Sequence, residues 1–295
     1  MKFLKGVLLA FLFITCGPIR AQDMPSTMTA HEKANVKMVL DWYREVIVAR
    51  HVDLAPKYQA EDYIQHNPNI ATGRAAFVRY FSSLGPPVPI PDRLPDPPAV
   101  AFGKADYVVL VWNHSAVDPA NPSRTYNYNS FDCLRIQNGK VQEHWDDAQK
   151  QAPGPAPAAT VSAQPTLNLS AQEKKNLAIA TRELKDMLQY NHLEIANETM
   201  ADSYIQHNPN VPNGREGFLK FFSSRPNRPP EPITPEWKNP PTRTIVSGPY
   251  VFFMWDRKAK DPADPSKEYT WDHFDLVRVD NGKIQEHWDE AKKNS

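Results

Sequence analysis

Tyr63-Ile64-Gln65-His66-Asn67-Pro68 returns letter for letter as Tyr204-Ile205-Gln206-His207-Asn208-Pro209, at a spacing of 141 positions. The flanks repeat in order: Gly73-Arg74 with Gly214-Arg215, and Phe81-Ser82-Ser83 with Phe222-Ser223-Ser224. Further on the spacing becomes 143, where Asn138-Gly139-Lys140-Val141-Gln142-Glu143-His144-Trp145-Asp146 answers Asn281-Gly282-Lys283-Ile284-Gln285-Glu286-His287-Trp288-Asp289. Self-similarity at a long fixed period means two copies of one domain, and 295 residues suffice for two ordinary cores.

Each copy begins with a helix signal. Thr29-Ala30-His31-Glu32 and Ser170-Ala171-Gln172-Glu173 both read as capping boxes. Val36, Val39, Leu40, Tyr43, Val46 and Ile47 then recur at helical spacing through about Arg50. A shorter helix is predicted from Val52 to about Gln59, with Leu193 to about Met200 as its counterpart, and it leads into the repeated hexapeptide. Proline disfavours helix at the residue before it, so Asn67 and Asn208 should be extended or in a turn. A third helix is predicted from near Gly73 and Gly214. Residues 85–98 and 225–241 are rich in proline and suit ordered loops or cavity rims.

From Val100 the period becomes two, which predicts strand, and the Asn-Gly pairs predict hairpin turns. Helices first and antiparallel strands afterwards give an α+β architecture in each copy. The predicted organisation is a leader over residues 1–21, a first domain over 29–150, a Pro/Ala-rich linker over 151–168 and a second domain over 169–295.

The leader has Lys2 and Lys5, an apolar run from Val7 to Ile14, and Cys16-Gly17-Pro18-Ile19-Arg20-Ala21. This is the layout of a secretory signal peptide, so an exported, periplasmic or extracellular protein is expected. The run is too short to span a bilayer, and lipid attachment at Cys16 is the competing reading. Cys133 is the other cysteine, so a chain cleaved after Ala21 has no intramolecular disulfide. The full chain balances 34 acidic against 34 basic residues, which gives no electrostatic reason to expect nucleic acid as partner.

The hexapeptide, Phe131-Asp132 with Arg135, and Asn-Gly-Lys-Val/Ile-Gln-Glu-His-Trp-Asp together resemble the SnoaL-like branch of the nuclear transport factor 2-like superfamily. The resemblance covers nearly the whole chain after the leader. It implies two tandem cones, each with helices wrapped by a strongly curved antiparallel sheet around a pocket. Enzymatic members act on small organic molecules, in ring-closing aldol condensations, isomerisation or dehydration, and without a cofactor. Members pair through the outer sheet face, so a tandem chain can supply the pair within itself; a homo-oligomer is the other option.

Strand arithmetic places Gln142, His144 and Asp146 on one face, and Ser130, Asp132, Leu134 and Ile136 together on the strand before. Copy two gives Gln285, His287 and Asp289 beside His273, Asp275, Val277 and Val279. If these faces look inward, each pocket holds an imidazole and two carboxylates, a kit for moving a proton at a carbon next to a carbonyl. The expected catalytic residues are His66 and His207 as donors with Asp146 and Asp289 as bases. Expected around the substrate in the first copy are Tyr63, Asn67, Trp112, His114, Asp132 and His144. The second copy offers Tyr204, Asn208, Trp255, His273, Asp275 and His287. His114 becomes Arg257 and Ser130 becomes His273, so inward-facing positions would give pockets of different charge.

Each residue has a plainer reading too. His66 and His207 can tie down a turn, His144 and His287 can make interstrand bonds, and Trp112, Trp255, Trp145 and Trp288 suit core or interface. Asp132 and Asp275 lie on the strand face opposite Arg135 and Arg278, which favours pocket or helix contacts. A metal held by His66, His144 and Asp146 lacks any compact ligand motif, so no metal and no cofactor are expected. The expected function is binding of a small apolar carbonyl compound with acid/base aldol, lyase or isomerase chemistry. The alternative is a non-catalytic binding or interaction module.

Overall fold

The computed structural model describes residues 24–151, 164, 167–225 and 228–293. The leader with Cys16 and most of the 151–168 linker lie outside the described residues. In the first half, helix α1 (Ala30–Trp42) is capped by Thr29 and Glu32 as the capping box requires. It runs directly into a π-helical turn, Tyr43–Val48. Helix α2 (Ala55–Tyr58), strand β1 (Gln59–Gln65) and helix α3 (Arg74–Ser83) follow. Strands β2 (Val100–Lys104), β3 (Tyr107–Asp118), β4 (Asn121–Gln137) and β5 (Lys140–Asp146) complete the domain.

The second half repeats this order. It has α4 (Ala171–Thr181), a π-helical Arg182–Gln189, α5 (Ala196–Thr199), β6 (Met200–Gln206) and α6 (Arg215–Ser223). Its remaining strands are β7 (Arg243–Ser247), β8 (Tyr250–Asp261), β9 (Asp264–Asp280) and β10 (Lys283–Asp289).

Each half folds as an α+β cone with one five-stranded sheet, ordered β1-β5-β4-β3-β2 and β6-β10-β9-β8-β7. One part differs from the sequence reading. The short helical stretch predicted from Val52 is present as a 3₁₀ turn, Val52–Leu54, followed by α2, but the hexapeptide after it begins on a strand, Gln59–Gln65, which pairs parallel to β5, with the His66 amide donating to the His144 carbonyl at 3.0 Å. Its local sequence, Gln-Ala-Glu-Asp-Tyr-Ile-Gln, has little β character, so the pairing to β5 decides its state. Gly73 then takes φ +93°, a value only glycine adopts freely, and turns the chain into α3 while its amide bonds the Tyr63 carbonyl at 2.7 Å.

The outer faces of the two sheets cover each other. Phe131 stacks on Phe274, and Phe102 on Tyr250. Trp145 and Trp288 join the same buried cluster, together with Cys133, whose thiol burial pushes up to about 12. Arg243, 1% exposed, lies 4.3 Å over the Trp145 ring. Polar ties close the edges: Asn129 Nδ2 donates to the carbonyls of His207 and Asp289, Lys150 reaches Asp261, and Lys293 reaches Asp118. The intrachain pairing expected of a tandem chain is therefore present. No helix among the described residues is long and apolar enough to cross a membrane.

Candidate active site

Alternation along the strands aims one set of side chains into each cone. In the first domain Trp112 and His114 of β3, Ser130 and Asp132 of β4, and His144 and Asp146 of β5 face a cavity of about 490 Å³. Gln65 and Asn67 enter from β1 and the turn after it. The far wall is helical. Trp42 with Ile47, and Tyr43 with Val48, are five residues apart, the spacing at which a π-turn brings side chains onto one side. Phe77 and Phe81 of α3 add apolar surface.

His144 is held at both ring nitrogens by acceptors. Nε2 lies 2.6 Å from Asp132 Oδ1, and Nδ1 lies 3.2 Å from Gln65 Oε1. The Asn67 amide also donates to Gln65 Oε1, which fixes that atom as an oxygen. Two acceptors require two donors, so His144 is an imidazolium. Burial opposes that charge, but the hydrogen bond and charge of Asp132 outweigh it and raise the pKa. Asp132 is itself saturated, because Trp112 Nε1 donates to its other oxygen at 2.5 Å. Burial first, then the charge of Asp132, holds the Tyr43 hydroxyl well above the usual phenol range.

Asp146 is different. Asn67 Nδ2 donates to Oδ2 at 2.8 Å and the Ala148 amide to Oδ1 at 3.0 Å. Burial raises its pKa, His144 works the other way, and the net shift is upward. The cavity thus holds one fixed imidazolium–carboxylate pair and one separate carboxyl group with heightened basicity.

The second cavity, about 270 Å³, is lined by Asn208, Trp255, Arg257, His273, Asp275, His287 and Asp289 among others. Trp42 is here replaced by Glu183, fully buried, whose Oε1 lies 3.0 Å from His287 Nδ1. His287 Nε2 lies 2.9 Å from Asp275 Oδ1, and His273 Nε2 lies 3.3 Å from Asp275 Oδ2. His273 Nδ1 bonds Glu290. The result is an alternating chain, Glu183, His287, Asp275, His273, Glu290. Burial opposes charge on both imidazoles. Even so, Asp275 and Glu290 push His273 up to about 10, and Glu183 and Asp275 push His287 well above its usual value.

The structure separates the predicted site residues into two groups. Asn67, Trp112, His114, Asp132, His144 and Asp146 are brought together in the first cavity, and Asn208, Trp255, His273, Asp275, His287 and Asp289 in the second. His66 and His207 are not. Neighbouring residues of a strand point to opposite faces, so with Gln65 inward His66 looks outward. His66 bonds Glu143 at 2.9 Å and stacks on Trp145, while His207 bonds Glu286 at 3.0 Å and stacks on Trp288. Their assignment as proton donors in the cavities is corrected accordingly. Tyr63 and Tyr204 are likewise buried beside the cavities and not in them, each accepting from the glutamine two residues on.

A family model of the SnoaL-like domain matches residues 39–144 and again 181–287. The chain belongs to the SnoaL-like family. Among solved structures it is similar to a candidate polyketide cyclase from Acidithiobacillus ferrooxidans, at 19% identity over 40% of this chain and 89% of that one, TM-score 0.29. A candidate polyketide cyclase from Bacillus cereus matches at 20% identity over 41% and 77%, TM-score 0.30. An LEH-like epoxide hydrolase from Mycobacterium tuberculosis matches at 8% identity over 40% and 81%, TM-score 0.30. Among curated proteins none matches.

Within this SnoaL-like pair, Tyr43 and Gln65 of the first domain, with Glu183 and Glu290 of the second, are the site residues that sequence reasoning passed over. Tyr43 read as one member of an apolar stripe. Glu183 carried a usable signal: a carboxylate stands where the other copy has Trp42, on a helix face that is otherwise apolar. For metal binding, the nearest ligand atoms of Asp132, His144 and Asp146 lie within 4.8 Å of one another, as do those of Asp275, His287 and Asp289.

Proposed function

We propose that the first SnoaL-like domain binds a small, largely apolar carbonyl compound and moves a proton at the carbon beside its carbonyl group, without a cofactor. One observation carries this reading: Asp146, a half-buried carboxyl of raised pKa, faces a cavity walled by Trp42, Ile47, Phe77, Phe81 and Trp112. In the ionised form Asp146 takes the proton, the C–H electrons move into the carbonyl, and an enolate forms. The imidazolium of His144 places positive potential beside the developing oxyanion, and the Tyr43 hydroxyl, whose residue lines the same cavity, is a neutral proton donor. Aldol condensation, isomerisation and elimination all share this first step. The leader of residues 1–21 supports the further reading that the protein works outside the cytoplasm.

The test is α-proton exchange. The full chain is incubated in deuterium oxide with a panel of apolar ketones and aldehydes, and deuterium uptake is followed by mass spectrometry. Wild type is expected to label one member of the panel and Asp146→Asn is expected not to. Compounds that bind without labelling would make the domain a binding module, and labelling that survives Asp146→Asn would remove Asp146 as base.

A further inference from the structure

The duplication supplies an internal comparison for the acid–histidine–acid cluster, and the two copies are not alike. In the first domain His144 Nε2 and Asp132 Oδ1 are 2.6 Å apart, the length of a strong charge-assisted hydrogen bond. In the second, His287 Nε2 and Asp275 Oδ1 are 2.9 Å apart. Two ligand atoms at about 2.1 Å from an ion and at right angles to each other stand about 3 Å apart. The second separation is the nearer of the two to that spacing, so an ion seated beside the pair displaces its groups less than one in the first domain would.

The shell behind the ligands differs in the same sense. A metal-bound imidazole is held at its other nitrogen by a carboxylate or carbonyl, which orients the ring and raises its basicity. Behind His287 Nδ1 stands the Glu183 carboxylate at 3.0 Å, and behind His144 Nδ1 the Gln65 amide oxygen at 3.2 Å. Glu183 is 0% exposed, and its Oε2 has no hydrogen-bond partner among the described residues. A buried carboxylate in that state calls for more positive charge than one shared imidazole proton provides. The other two ligands are also held. His273 Nε2 stands 3.3 Å from Asp275 Oδ2, while Asn208 Nδ2 and the Ala291 amide donate to Asp289 at 2.8 and 2.9 Å.

We infer that Asp275, His287 and Asp289 of the second domain form a site for one divalent transition-metal ion, with Glu183 as the carboxylate that orients His287. One imidazole and two carboxylates suit zinc, manganese or ferrous iron better than calcium or magnesium. The ion displaces the proton on His287 Nε2, and its remaining positions open into the second cavity, beside Arg257 and Trp255. The assignment is independent of the proton transfer proposed for the first domain, and it gives the two copies distinct chemistry.

The experiment uses the full chain, stripped with chelator and titrated with Co²⁺ as a spectroscopic probe and with Zn²⁺ by calorimetry. One equivalent per chain is expected, with visible cobalt bands. Binding is expected to vanish in His287→Gln, to weaken about 10–100-fold in Glu183→Gln, and to persist in His144→Gln. Near-ultraviolet circular dichroism checks the fold of each variant, and Asp289→Asn takes the place of His287→Gln if the latter unfolds. Absence of a stoichiometric ion, binding that survives loss of His287 or Asp289, or an equal loss in His144→Gln would each overturn the site.

Discussion

His66 Nε2 lies 2.9 Å from Glu143 Oε1 on the face of the first sheet that is turned away from the cavity. Glu143 is 0% exposed, and its other oxygen takes Arg135 Nε at 2.8 Å. The pair therefore fixes a charge at the edge of the sheet-to-sheet interface. Replacing His66 with alanine leaves one carboxylate oxygen short of this partner, and a loss of about 2–4 kcal/mol in urea unfolding is expected. Ligand affinity of the first cavity should stay within about twofold. A tenfold loss of affinity at unchanged stability would place His66 back in the site. His207→Ala should cost less, because Glu286 keeps two contacts to Arg278 and His207 is more exposed.

Asp146 sets the acid limb of any proton transfer in the first domain. Its folded pKa is raised, first by burial, with His144 opposing. The base form accordingly appears only above the ordinary carboxylate range, and activity should climb with pH later than a solvent-exposed aspartate would allow. Asp146→Asn should lower turnover about 10²–10⁴-fold while ligand affinity changes by no more than a few fold. A pH-rate profile and a binding isotherm on the same preparation separate the two effects.

Much of this was legible in the letters, for definite reasons. A period of two put His144 with Asp146 within β5 and Trp112 with His114 within β3, but a bulge at Arg135–Ile136 shifts the β4–β5 register by one residue beyond the Asn138-Gly139 turn, and it is this shift, not legible in the letters, that sets Asp132 opposite Asp146 on the cavity face. The hexapeptide was harder. Its strand character comes from pairing with β5, roughly eighty residues away, and no local propensity announces that. Without that pairing the alternation that sends Gln65 inward and His66 outward is not visible in the letters, and the donor role falls to the wrong histidine. Tyr43 was hidden in another way, since a π-turn breaks the 3.6-residue period that made it look like plain core.

Arg243 tests the pairing of the two domains. It occupies the position of Val100 in the first copy, so the duplication has placed a guanidinium where its sister has an apolar side chain. It sits 4.3 Å over Trp145 and donates to the Tyr107 hydroxyl at 3.2 Å, both across the domain boundary. A desolvated cation–π contact of this kind contributes about 2 kcal/mol. Arg243→Ala should therefore lower stability by about that amount and split one cooperative denaturant transition into two as the halves uncouple. A single transition with an unchanged midpoint would show that the apolar faces alone hold the pair.

Asp147 gives the clearest dependence of stability on pH. Its Oδ1 accepts the Phe131 amide at 3.0 Å, and burial, reinforced by the charges of Glu290, Asp146 and Asp132, pushes it up to about 8. Unfolded, the group titrates near its ordinary 3.8. Between these two values the folded chain retains a proton that the unfolded chain has released. The Asp147 contribution to stability therefore falls as pH rises through that window, and levels off above about pH 8. Asparagine keeps the acceptor for Phe131 without the ionisation. Asp147→Asn should raise stability by about 2–4 kcal/mol at pH 7, and it should flatten the decline between pH 4 and 8. Thermal unfolding of both proteins across that range decides the matter: parallel curves would mean that Asp147 already meets water or a cation in the folded chain, and converging curves at low pH would assign the loss to this carboxyl.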